Sequence, residues 1–355
     1  MTFLQLSEAN IIGTVIAFIL GLFIVPLVIS FSERKGLMDE PNARKIHSHP
    51  IPRLGGIAIW ICTILSFVAL IILSYYPHRS LLSGLLLGSS LMFLLGLVDD
   101  VYALSAKFKF VLQLSIATIV FCLGVKISSI FIPFVGLVDI PPLLSYVLTI
   151  GWIVGISNAV NFIDGVDGLA GSVITISSVT LGLIALALTP TDVVISLVAF
   201  ILAGSMLGFL TYNFHPAKIF MGDSGALFAG FLLATLSVMY SMKSTDCKMF
   251  MPLLVLAVPI IDITFSSIRR ILKGTSPFVA DAEHIHHKLL NIGLSQNQAV
   301  FVLVGFSILM GWLATRIAAT DITKYFIYAV IILAVMLILN RYAKNGDKKE
   351  EKPKE

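Results

Sequence analysis

Residues 10–31 read NIIGTVIAFILGLFIVPLVISF, a run without a single charged side chain. A spanning helix needs roughly 20 apolar residues, because the hydrocarbon core is about 30 Å thick and a helix rises about 1.5 Å per residue. This stretch meets that length, and the rest of the chain repeats it. Comparable runs fall near 55–75, 80–98, 108–125, 142–161, 169–188, 192–212, 224–242, 250–268, 298–315 and 324–340. The expected fold is therefore all-α, a polytopic integral membrane protein of about eleven transmembrane helices. Composition agrees. Of 355 residues 57% are hydrophobic and 12% charged, about half the charged fraction of ordinary soluble domains, and the mean hydropathy is +0.98.

Eleven spans leave no room for a soluble domain. Residues 1–343 are read as one transmembrane catalytic domain and 344–355, an alternation of Lys and Glu, as a disordered cytoplasmic tail. Cys62, Cys122 and Cys247 show no CxxC spacing, which removes zinc and disulfide frameworks. The first run follows an acidic leader (Glu8) and is expected to be retained rather than cleaved. Gly151 and Gly155 interrupt the 142–161 run, and residues 131–140 (FIPFVGLVDI) have the punctuation of a short outer hairpin. If the loop after the first span is cytoplasmic, 18 of the 24 Lys and Arg lie on that side and 6 on the other. That bias sets the N-terminus outside and the C-terminus inside.

Six acids sit at membrane depth or at the cytoplasmic end of a span: Asp99, Asp100, Asp164, Asp167, Asp223 and Asp262. An acid near hydrocarbon is costly unless paired, hydrated or bound to a cation. In LVDD, followed by LSAKFK, two adjacent carboxylates repel, and Lys107 is the expected counter-charge; one acid could instead cap the helix starting near Ser105. In NAVNFIDGVDGLAG, Asn158 and Asn161 share a helical face before Asp164-Gly and Asp167-Gly break the helix. MGDSG places Asp223 at a span start. The HIHHK segment, with His284, His286 and His287, follows Arg269 and Arg270 and suits a phosphate or an anionic lipid head group. Lys45, His47 and Arg53 lie in the first loop. Asp262 is seven residues from Arg269, which points to a structural ion pair.

Oxygen donors without thiolates select a hard cation, Mg²⁺ with Mn²⁺ as the alternative. Such a cation beside basic loops describes a nucleotide-diphosphate site at a membrane face, where the natural acceptor is a lipid. A cation-coupled transporter is the rival class, but it wants acids near the midplane. An intramembrane aspartyl protease would place its two acids within facing helices.

PRLGG, LVDD with LSAKFK, NAVNFIDGVDGLAG, MGDSG and HIHH, in this order over roughly 33–290, closely resemble the polyprenyl-phosphate N-acetylhexosamine-1-phosphate transferases. HIHH looks like the bacterial undecaprenyl-phosphate GlcNAc-1-phosphate transferases among them. The resemblance implies transfer of GlcNAc-1-phosphate from UDP-GlcNAc to undecaprenyl phosphate at the inner membrane, with another UDP-N-acetylhexosamine or UDP-MurNAc-pentapeptide as alternative donors. By it, Asp223 and Asn161 match metal-holding positions, and Asp99 and Asp100 match the pair at the lipid phosphate. Asp164, Asp167 and Asn158 match the nucleotide side, while Lys45, Lys107, His284, His286 and His287 match phosphate contacts. The expected partners are those two substrates and the bilayer, with no nucleic acid. A homodimer stays open, because lipid-facing and partner-facing apolar surfaces read alike.

Overall fold

The structure, a computed structural model, describes residues 3–40, 49–73, 79–132, 134–188, 193–244, 246–272 and 284–319. The apolar runs become helices α1 (Phe3–Lys35), α2 (Gly55–Ile72), α3 (Arg79–Tyr102), α4 (Ala106–Cys122), α5 (Pro142–Ile163), α6 (Leu169–Leu188), α7 (Val193–Asn213) and α8 (Gly222–Lys243). Then follow α9 (Met251–Val255), α10 (Ala257–Leu272), the short α11 (Ile285–Asn291) and α12 (Gln296–Ala319). Two hairpins complete the chain: β1 (Met38–Asp39) with β2 (Ile51–Pro52), and β3 (Ser129–Ile132) with β4 (Gly136–Asp139). The second is the hairpin expected in 131–140.

Among the described residues eight helices are long and apolar enough to cross a membrane, or nine with the bent α9–α10 pair. The expected number was about eleven. The 108–125 run forms α4, which at 17 residues falls short of that length. The 250–268 run is broken by a 73° bend, because Pro259 in the first turn of α10 has no N–H to return to the carbonyl four residues back. The 324–340 run and the tail lie outside the described residues. The membrane-spanning character stands, and the chain is a multi-pass membrane protein.

One helix organises the bundle. Every residue of α8 from Ser224 to Tyr240 is buried, and α8 packs against α2, α3, α5, α6 and α7. By contrast α1 lies at the periphery and exposes Phe23 and Leu27. Without water to drive burial, helices in a bilayer associate by close packing and polar contacts, and both occur here. A Cβ on Gly56 of α2 would lie 2.2 Å from the Gly225 nitrogen of α8, and one on Gly96 of α3 would lie 2.5 Å from the Asp223 carbonyl oxygen. Trp60 Nε1 donates to Ser90 Oγ at 3.0 Å while its ring stacks on Phe93. Trp152 Nε1 donates to Ser237 Oγ at 2.7 Å. The up-and-down order brings the α1–α2, α3–α4, α5–α6 and α7–α8 connections to one end.

A methyl group at Gly56 has no room, whereas nothing lies within 4 Å of one at Gly151. Gly56→Ala is therefore expected to destabilise the protein by about 1–3 kcal/mol. Gly151→Ala is expected to stabilise by up to about 1 kcal/mol through helix propensity. Thermal unfolding of the two variants in detergent should move in opposite directions.

Candidate active site

The end of α3 and the start of α8 meet through one side chain. Met221, at the N-terminus of α8, offers no side-chain cap. Asp100 supplies it from α3: Oδ1 accepts the Asp223 N–H at 2.9 Å and Oδ2 the Ser224 N–H at 3.0 Å. A carboxylate at a helix N-terminus satisfies orphan donors and opposes the positive end of the macrodipole. Gly222 adopts φ +69° there, and a Cβ on it would lie 2.7 Å from Asp100 Oδ2, so glycine is required twice over. The cap expected at Ser105 is made by Ser105 itself, whose hydroxyl accepts the Phe108 N–H.

Asp99 points the other way. Its Oδ1 accepts the Leu104 N–H at 2.7 Å and its Oδ2 accepts Lys109 Nζ at 2.7 Å. The same ammonium donates to Asp223 Oδ2. The counter-charge is thus Lys109, correcting the expectation of Lys107, whose residue is exposed. Two positions apart on α4, the lysines lie about 200° apart around the helix, and the start of α4 at Ser105 decides which faces inward.

The Asp-Gly steps do break the chain between α5 and α6. Asp164 follows the last residue of α5. Burial, and then the negative field of Asp223, Asp100 and Asp167, pushes its carboxyl up to about 7. Asp167 is engaged in structure: Oδ2 accepts the Ala217 N–H at 3.1 Å and lies 2.8 Å from His215 Nδ1. Asn213, at the end of α7, accepts the Gly168 N–H at 3.0 Å and donates to the Ile219 carbonyl at 2.8 Å. The PRLGG segment closes the same corner. Phe220 donates its N–H to the Pro52 carbonyl, and Gly55 and Gly56 donate theirs to the carbonyls of Phe220 and Met221.

These connections enclose a cleft of about 880 Å³ whose lining includes Asp100, Asn161, Asp164, Asp167, Asp223 and His287. Arg53, His215 and Lys218 supply basic groups, and Gln296 closes one side. Asn158 is absent from the lining. It exchanges hydrogen bonds with Gln113 of α4 and donates to the Val154 carbonyl. His284 and His286 are buried behind the cleft, and burial, reinforced by His287, lowers His286 to about 4. Asp262 pairs with His284 Nδ1 at 2.7 Å, in place of the expected link to Arg269. Lys45 lies outside the described residues. Asn213, His215 and Gln296 carried no periodic or motif signal that singled them out, whereas Lys109 lay within LSAKFK, where Lys107 was expected to serve instead.

The residues fit a hard divalent cation. Asp223, Asp164 and Asn161 offer oxygen donors to the same cleft, and Asp164 is buried within the negative field of Asp223, Asp100 and Asp167. Among the described residues no ready-made group of three His, Cys, Asp or Glu ligands exists. Mg²⁺ is usually held by one or two carboxylates together with water and substrate phosphate, and such a donor set would suffice for it.

Residues 82–241 match glycosyl transferase family 4. A protein of Bacillus subtilis named a probable undecaprenyl-phosphate N-acetylglucosaminyl 1-phosphate transferase is 38% identical, over 92% of this chain and 91% of its own length. This chain belongs to that family. It is a glycosyl-1-phosphate transferase. A decaprenyl-phosphate N-acetylglucosaminephosphotransferase of Mycobacterium leprae is 33% identical over 84% of this chain and 81% of its own. An undecaprenyl-phosphate alpha-N-acetylglucosaminyl 1-phosphate transferase of Escherichia coli is 30% identical over 82% and 80%.

For this transferase, Lys109→Met is expected to lower turnover on the order of 100-fold, the scale of losing one charged contact at a reacting site. Lys107→Met should stay close to the parent, and equal losses would remove the distinction. Asp164 gives a pH signature. Its folded-state pKa of about 7 exceeds the value near 4 of an unfolded carboxyl. Ionising it therefore costs stability progressively from about pH 4 to 7, and the cost is complete above 7. In EDTA-treated protein Asp164→Asn should raise the unfolding temperature more at pH 8 than at pH 5.

Proposed function

We propose that the enzyme transfers GlcNAc-1-phosphate from UDP-GlcNAc to undecaprenyl phosphate. The products are undecaprenyl-diphospho-GlcNAc and UMP. The reaction takes place on the cytoplasmic face of the bacterial inner membrane, as the first membrane step of a cell-envelope polysaccharide. The observation that carries this reading is the cleft: six carboxylates, with Arg53, Lys218 and three imidazoles, gathered at one end of an apolar bundle, in a volume suited to a nucleotide sugar. The same end is the one favoured by the basic loops as cytoplasmic. Acids grouped at helix ends disfavour ion relay through the bilayer.

The acceptor needs little activation. A phosphate monoester has its second pKa near 6, so the lipid phosphate is mostly dianionic at neutral pH. Its oxygen attacks the sugar-bearing phosphorus, the bond from that phosphorus to the bridging oxygen breaks, and UMP departs with the electron pair. The obstacle is repulsion between polyanions, so catalysis is positioning plus charge neutralisation. Lys109 holds Asp99 and Asp223 together against their own repulsion. Arg53, His215 and Lys218 face the same space and suit the diphosphate. Asp100, with both oxygens committed to backbone N–H groups, sets the start of α8 rather than moving a proton. Asp223, Asp164 and Asn161 would hold Mg²⁺, or Mn²⁺ in its place, which when bound supplies further neutralisation of phosphate charge.

Purified protein with UDP-GlcNAc, undecaprenyl phosphate and Mg²⁺ should release UMP and form a lipid-linked sugar. Release should stop with EDTA and fall on the order of 10²–10³-fold in Asp223→Ala. Turnover with a different UDP-sugar only would change the donor, and silence with every UDP-sugar from folded protein would overturn the reading.

A further inference from the structure

Asp262 lies on α10, is 2% exposed and is absent from the cleft lining. A carboxylate so deeply buried is costly unless both oxygens are satisfied, and here both are satisfied by α11. Oδ2 lies 2.7 Å from His284 Nδ1, and Oδ1 accepts the Ile285 N–H at 2.8 Å. His284 is the N-cap residue of α11 but makes no side-chain cap bond. Asp262 therefore caps that helix from another one, much as Asp100 caps α8. The carboxylate also selects the tautomer, because a proton on Nδ1 leaves Nε2 of a neutral ring as an acceptor.

From His284 the contacts continue toward the cleft. Its ring stacks on Phe162 of α5 and on His286, each with centroids 5.7 Å apart. His286 presses on the turn after Asp164, where a Cβ on Gly165 would lie 2.7 Å from His286 Nε2. His287 follows at 4.3 Å from His286, and it lines the cleft with Asp164 and Asp223. The Asp262 carboxylate thus anchors a buried His284–His286 stack, against which the tilted, half-buried ring of His287 reaches the cleft wall.

We propose that Asp262 is a positioning residue for the nucleotide-sugar: by capping α11 and orienting His284, it seats His286 on the Gly165 turn and presents His287 to the donor's phosphates. This rests on the phosphotransferase reading for the identity of the ligand, while the placement of α11 does not. The lipid acceptor is not served by this contact.

The test uses the full chain in detergent, with Asp262→Asn, Asp262→Ala, His284→Gln and the Asp262→Asn/His284→Gln pair. Hydrogen–deuterium exchange without substrate should be faster in residues 285–291 of both Asp262 variants and unchanged in residues 224–240. The KM for the UDP-sugar should rise roughly 10-fold or more, the scale of a hydrogen bond to a charged group, with the KM for lipid phosphate unchanged. The double variant should lose no more than His284→Gln alone. Unchanged exchange in 285–291, an equal rise in both KM values, or additive losses would each overturn the proposal. If Asp262→Ala does not fold, Asp262→Asn, of the same shape, carries the test. Were no UDP-sugar turned over by the parent protein, the exchange measurement would still decide the anchoring while the functional reading failed.

Discussion

The carboxylate of Asp100 accepting the N–H groups of Asp223 and Ser224 is the contact on which the rest of the site depends. It joins the end of α3 to the start of α8, and α8 is the helix against which α2, α3, α5, α6, α7 and α9 all pack. A helix beginning inside protein cannot leave its first donors unpaired. Once that end is capped from α3, the positions of Asp223, Lys109 and Asp99 follow. Lys109 can bridge the two acids only because α3 and α8 already touch there, with no side chain at Gly96 to separate them.

The site is otherwise an arrangement of connections held to one another by backbone. Asn213 grips both the turn after α5 and the loop before α8. Asp167 holds that loop through Ala217 and His215, and the PRLGG segment binds its far end. Several polar residues that would look like ligand contacts in isolation are therefore structural, and they free Asp164, Asn161 and Asp223 to face the cleft. The cost is concentrated negative charge. A proton on Asp164 relieves part of it.

Phosphoryl transfer between a soluble nucleotide sugar and a lipid phosphate demands a place where water and hydrocarbon meet. Helix ends at one end of the bundle provide it, since buried apolar helices bring rigid scaffolding while their connections carry charge. Two acids of this chain, Asp100 and Asp262, cap helices that start in other parts of it.

Much of this was legible in the amino-acid sequence. Apolar run length marked most of the helices, because hydrocarbon thickness is a local, one-dimensional constraint. The turn at Asp164–Gly168 and the 131–140 hairpin were readable from glycine and proline chemistry, and the clustering of acids at one end followed from counting spans. Residue pairing was not legible. Whether Lys107 or Lys109 faces the acids depends on helix phase, and Asp262 meeting His284 rather than Arg269 depends on where α11 packs. Asn158 turning to Gln113 depends on the neighbour that α5 receives. By itself the sequence determined a multi-pass helical enzyme with its polar chemistry at helix ends. Only tertiary structure decided which carboxylates cap, which pair and which face the cleft, because hydrogen bonds form between groups brought within about 3 Å by packing and not by spacing along the chain.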